Sequence, residues 1–325
     1  MNVSRGNTTA KLTETLPRYV GKSSDSTGVV VSMLLGSFGI EVRHAECLTG
    51  RPFGLRITID NPESWLVPWL EPWEGLLRAL RTAGVSSWRA ESGGDAAALL
   101  EVGSEWISDG PVAVGPLNPL TLWNRLEPHF YQGGSHWLVI IKKLGDVFVA
   151  HDTEGCPFGR ILRLDIERAL SSCHTERGVL QIVNATPLAE PDKGLVRCII
   201  DGAKLRRGLR NEPIFGANGL RCLAKSLAGR QLKAKESASL SYGFPAMGTS
   251  RFSVAALIAE LAQADPAWRP TWTRVLHHTD DLCRMTAIAN RKRGEGQGEA
   301  ISQVLKQLSN IEADFDLILE DAPCS

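Results

Sequence analysis

Apolar and polar positions divide the chain near residue 187: upstream, short apolar runs alternate with turn residues, and downstream, apolar positions recur at helical spacing over long stretches. That pattern predicts an α+β region followed by an all-helical one. Residues 25–39 read DSTGVVVSMLLGSFG, where Val30, Met33, Leu34 and Phe38 share a helical face and Gly39 can close the end. Val29, Val30 and Val31 are β-branched, so a buried strand over 29–35 competes with the helix. Residues 61–73, NPESWLVPWLEPW, set three tryptophans among three prolines and predict a shaped loop. Short helices are predicted at 73–82 and 95–103, a buried strand at 110–116, a turn at 156–159, a strand edge at 161–164, a helix capped by Asp165 through Ser172, and a strand at 178–183. Beyond them, helices are predicted at 216–228, 250–264 with Ser250 as N-cap, 268–290 and 299–319, with RKRGEGQG at 291–298 as a polar connector.

The most informative stretch is a hairpin. Apolar runs at 136–142 and 147–151 flank Leu144, Gly145 and Asp146, with His136 opening the first strand and Asp152 ending the second. Side chains alternate faces along a strand, so a two-residue turn at Gly145-Asp146 places His136 and Asp152 on opposite faces. A three-residue turn, Lys143-Leu144-Gly145 with Gly145 left-handed, pairs Lys142 with Asp146 and His136 with Asp152. Directly opposed Cβ atoms lie about 4.5–5.5 Å apart, within reach of an imidazole–carboxylate hydrogen bond. Such a carboxylate fixes the imidazole tautomer and stabilises the imidazolium. On the hairpin alone, a strand-end histidine and a turn aspartate of no consequence is the commoner outcome.

Composition narrows the function classes. The chain has 325 residues, 36 basic and 36 acidic, so no bulk charge favours nucleic acid or an anionic membrane. Its seven cysteines are scattered without CxxC spacing, which argues against a disulfide framework or zinc ribbon and fits a reducing compartment. The polar N-terminus lacks the apolar core of a secretory signal and no run approaches a membrane span, so a cytoplasmic protein is expected. The expected divisions are a tail at 1–19, a first domain at 20–186 and a helical domain at 187–325.

Residues 25–39, followed far downstream by SHWLVIIKKLGDVFVAHDTEG, resemble the N-terminal domain of butirosin-biosynthesis-protein-H-like proteins and, more distantly, the bacteriocin-processing leader peptidases. The later segments FGANGLRCLAKSLAG and GTSRFSVAALIAELAQ resemble the helical domain that accompanies the butirosin-type module. The resemblance implies a papain-like first domain with a Cys/His/Asp triad. Its histidine falls on His136, its aspartate on Asp152 and its cysteine on Ser26, so serine stands where the family has sulfur. A thiol is activated by a lowered pKa, whereas a serine needs His136 as general base. Ser26 is then a serine nucleophile, an engineered replacement of cysteine, or a mark of lost activity, with Thr27 and Ser24 as neighbouring alternatives.

The implied function is acyl transfer in specialised-metabolite (antibiotic) biosynthesis, from an acyl carrier protein or CoA thioester through a covalent acyl-enzyme to an amine or hydroxyl acceptor. The alternatives are a hydrolase or peptidase using the same triad and a catalytically silent binding module. No cofactor or metal is implied, and the partners are the donor, the acceptor and, as an open case, a second copy in a homodimer. The oxyanion hole would draw on backbone N–H groups at Ser26 or Thr27, with Lys22, Ser23 or Ser24 in support. Trp65, Trp69, Trp73 and Tyr131 are candidate walls of a substrate pocket, although tryptophans that close a core are commoner. Weaker candidates are Cys47 near His44 as a displaced nucleophile, His277 with Asp281 as metal ligands, and a basic cluster at 204–210 that reads equally well as a solvated run.

Overall fold

The computed structural model describes residues 19, 25–58, 66–123, 136–153, 155–173, 175–186, 191–294 and 297–323. It is a mixed α and β structure with a helical C-terminal region. The chain opens with α1 (Ser26–Gly36), α2 (Ala45–Leu48), β1 (Leu55–Ile57), β2 (Leu66–Pro68) and α3 (Pro72–Thr82). Next come β3 (Val85–Ser92), α4 (Ala96–Trp106), β4 (Val112–Leu117), α5 (Pro119–Trp123), β5 (His136–Leu144), β6 (Val147–Asp152) and β7 (Cys156–Leu162). After α6 (Arg163–Ser171) and β8 (Gly178–Ala185), the helices α7 (Pro191–Leu209), α8 (Gly216–Leu227), α9 (Ala234–Ala264), α10 (Arg269–Gly294) and α11 (Gly298–Glu320) follow.

Strands β3 to β8 form one antiparallel sheet in the order β3-β8-β4-β5-β6-β7, and β1 pairs with β2 beside it. The sheet is clothed on both faces. Trp137 and Val139 of β5 join α1 and α3 in one apolar cluster, while Leu138 and Ile140 join α4 and α6 in another. The first cluster also takes Val254, Leu257 and Ile258 of α9 and Phe315 of α11, so upstream and downstream halves share a core.

The valine run is helical because all of it is buried: Val29, Val30 and Val31 are at most 3% exposed, and that packing outweighs the modest χ1 penalty of β-branched residues. Asp25 caps α1, its carboxylate accepting the Thr27 N–H at 3.1 Å. Gly28 is required by close approach, since a Cβ there would meet the Glu46 backbone of α2 at 2.7 Å.

Several expectations are corrected. The tryptophan loop contains a strand, Leu66–Pro68, paired with β1. The expected turn at 156–159 belongs to β7, where Pro157 is tolerated because β7 is an edge strand. Asp165 lies in the first turn of α6, and Leu162 holds the N-cap position. Ser250 is interior to α9, its Oγ donating to the Ala246 carbonyl at 2.8 Å, and α9 continues through Pro245. The first part of the 291–298 connector is helical, since α10 runs to Gly294.

The hairpin differs most instructively. Leu144 pairs with Val147, so the turn is the two-residue Gly145-Asp146, with Gly145 at φ 63. A register shift between Ile140 and Lys142 then inserts one residue into β5 and restores the parity. Asp152 lies opposite Leu138, and His136 is its diagonal neighbour on the same face.

Candidate functional site

Rigid backbone presents the His136–Asp152 pair. His136 pairs with Leu117 of β4 on one side, and on the other Thr153 locks the hairpin end, its N–H and Oγ1 both donating to the Trp137 carbonyl at 3.4 and 3.1 Å. The His136 Nε2 stands 3.0 Å from the Asp152 Oδ1, and each residue is 1% exposed. The contact uses Nε2, and the other ring nitrogen, Nδ1, is buried as well. Around the pair, Trp137 stacks on Trp73 at 6.0 Å and 11°. His151 accepts the Phe158 N–H at Nδ1 over 3.3 Å and meets the Tyr19 ring at 5.6 Å. Burial, then the Asp152 and Cys156 charges, push the Tyr19 phenol above its ordinary range.

Ser26 is half-buried on the first turn of α1, which packs against β5. Its cap is a small network: Asp25 also accepts the Thr49 hydroxyl at 3.3 Å and stands 3.4 Å from the Arg51 guanidinium. Helix α1 covers the Trp137 and Val139 face of β5, whereas alternation sends His136 and Asp152 out on the Leu138 face. Ser26 and the imidazole can therefore meet only at the end of the strand, beyond the covered part of the sheet.

The other sequence candidates sort by their surroundings. Thr27 is fully buried and its backbone N–H is engaged by the Asp25 carboxylate, so that N–H is not available as an oxyanion donor. Trp73 is 4% exposed, a core residue supporting Trp137, and Trp69 packs edge-on at 5.3 Å against Phe215, the N-cap residue of α8, so neither is a free pocket wall. Lys22, Ser23, Ser24, Trp65 and Tyr131 lie outside the described residues.

Cys47 is fully buried, burial pushes its thiol well above the ordinary range, and its Sγ faces the Ser253 carbonyl at 3.5 Å. Its neighbour His44 turns away to Glu260 at 2.8 Å. Asp281 pairs with Arg284 at 2.8 Å, and no group of three or more metal-ligating side chains converges among the described residues. The basic cluster is not wholly solvated, because Arg206 is 1% exposed.

Sequence reasoning missed the surroundings of the pair and of Ser26, namely Arg51, His151 and the contacts that Asp25 and Tyr19 make. Asp25 carried the one available signal, an N-cap residue directly before the candidate nucleophile. None of the described helices is long and apolar enough to cross a membrane. Against models of known protein families the chain finds no match, and a comparison with curated proteins finds none either.

Proposed function

We propose that the chain is a papain-like acyltransferase in which Ser26, His136 and Asp152 form the triad. The observation that carries this reading is the buried His136 to Asp152 contact of 3.0 Å at the open end of a hairpin, with a capped helix start bearing a hydroxyl on the element packed beside it. Buried polar groups of this kind cost free energy unless they are paired, and an oriented imidazole at a strand end is suited to proton transfer. His136 takes the Ser26 proton as Oγ attacks the thioester carbonyl, and the Ser26 N–H at the α1 start faces the developing oxyanion. Collapse expels the donor thiol, protonated by His136, and leaves an acyl-serine. An amine or hydroxyl of the acceptor, deprotonated by the same imidazole, then attacks and releases the product. Asp152 holds the ring and stabilises its charged form. Water in place of the acceptor makes the same site a hydrolase.

One observation favours a second, non-catalytic reading: α1 and the His136–Asp152 pair occupy opposite faces of β5 over most of its length. The test is intact-mass analysis after incubation with acyl thioesters. The catalytic reading expects an acyl adduct on the protein, retained or increased in Ser26→Cys and absent in His136→Ala. No adduct in either the parent or Ser26→Cys would leave the binding-module reading standing.

A further inference from the structure

One polar atom near the hairpin end is left without a partner. The Tyr19 Oη is buried, and it makes no hydrogen bond among the described residues. A buried hydroxyl in that state costs free energy, so it marks a place where a group from outside the chain can supply the bond.

Three contacts locate it. Tyr19 packs against the apolar cluster that α1 shares with Trp137 and Val139. Its ring meets His151, the strand partner of Val139, at 5.6 Å, on the same face of the sheet. The Oη reaches past the end of β6: a Cβ built on Gly155 would stand 3.7 Å from it and, chain neighbours apart, would meet no other described atom within 4 Å. The hydroxyl therefore borders open space. Asp152 and Cys156 are close enough for their charges to act on the phenol. Tyr19 thus spans from the α1 face of the sheet to the carboxylate that holds His136, across the strand end where Ser26 and the imidazole can meet. Burial, then those two charges, keep the proton on the phenol through the neutral range, so the group stays a donor.

We propose that Tyr19 is a catalytic residue, its O–H donating to the carbonyl oxygen of the bound thioester as that oxygen becomes an oxyanion. The assignment rests on Ser26, His136 and Asp152 acting as the triad. The phenol gives up no proton. It stabilises the tetrahedral intermediate through a charge-assisted hydrogen bond, which weakens again as the carbonyl re-forms and the donor thiol leaves.

Acylation by hexanoyl-pantetheine, followed by intact mass against pH, tests it in the parent chain, in Tyr19→Phe and in a chain carrying 3,5-difluorotyrosine at residue 19. Tyr19→Phe keeps the ring on His151 and removes the hydroxyl alone. Its rate should fall about 10²-fold. Its thermal melting should hold or rise, because an unpaired buried hydroxyl has gone. The fluorinated phenol is a stronger acid, so the alkaline limb of the rate should move to lower pH, which a packing role would not do. An undiminished rate in Tyr19→Phe, or an alkaline limb that fluorination leaves in place, would overturn the assignment and leave the triad standing. No adduct in either the parent or Ser26→Cys would overturn the triad, and the part given to Tyr19 with it.

Discussion

Among the described residues three histidines are buried, His136, His151 and His278, and the surroundings of the first and the last are opposites. His136 meets the Asp152 carboxylate at 3.0 Å on a strand end. His278 of α10 is 5% exposed, stacked on Phe315 at 4.8 Å and 20°, beside a closed ionic cluster. In that cluster Glu312 accepts from Arg251 at 2.8 Å through both oxygens and from Arg206 at 3.0 Å, and Asp316 accepts from the Arg206 Nε. Burial opposes the Glu312 charge, yet the Arg251 and Arg206 charges hold its carboxyl well below the usual range. Burial pushes His278 down to about 4, Glu312 opposing the shift and the two arginines adding to it. Two arginines and two carboxylates balance in charge, and both guanidiniums lie on the Phe315 ring at 4.9 and 4.8 Å. A network of that kind locks helices together, whereas the His136–Asp152 contact stands at a strand end, where the proposed function gives it a proton to move.

The contrast is sharpened most by Asp152→Asn. If the pair is catalytic, acyl transfer should fall about 10⁴-fold, because the amide holds the wrong imidazole tautomer. Urea unfolding should barely move, and a rate unaffected by the change would put His136 in the same structural class as His278. Glu312→Ala is the reverse experiment. It leaves Arg206 and Arg251 buried without their shared carboxylate and should cost about 3–5 kcal/mol of stability by urea denaturation. An effect below about 1 kcal/mol would mean that water or Asp316 replaces Glu312.

Acid separates the two histidines further. An imidazole that titrates at 6.5 when unfolded and at about 4 when folded takes its proton first in the unfolded state. The stabilising contribution of neutral His278 is therefore complete above the unfolded value and is lost as pH falls toward the folded one, by roughly 3 kcal/mol in all. Urea midpoints followed through that window should show the decline, and His278→Leu should flatten it. Smallest is Gly145→Ala in the hairpin turn. Its positive φ costs an L side chain about 1 kcal/mol, although a Cβ there meets no neighbour, and Gly145→Asn should cost less.

Legibility in the sequence follows the range of the interaction. Helix α1 was readable from its apolar face despite Val29, Val30 and Val31, whereas strand parity brought His136 and Asp152 to one face only through a three-residue turn that the structure does not have. The actual route was not readable, because the inserted residue near Ile141 carries no glycine or proline to announce it. Strand β3, VSSWRAES, was missed since its largely solvated residues give no apolar run, and it is held by β8 at the sheet edge. Arg206 looked like part of a solvated basic run because its partners, Glu312 and Asp316, lie 106 and 110 residues further along the chain.

Arg206 and Arg251 also accept duties upstream: the first donates to the Phe53 carbonyl at 2.9 Å and the second to the Pro52 carbonyl. Helices drawn from 191–209 and 234–264 thereby pin the backbone at 51–53, just beyond the Asp25 and Arg51 contact beneath Ser26. In evolutionary terms the helical half is no detachable passenger. A recombination or truncation breaking near residue 187 would strand two carbonyls and open the common core, so descendants of this chain are expected to inherit or lose both halves together.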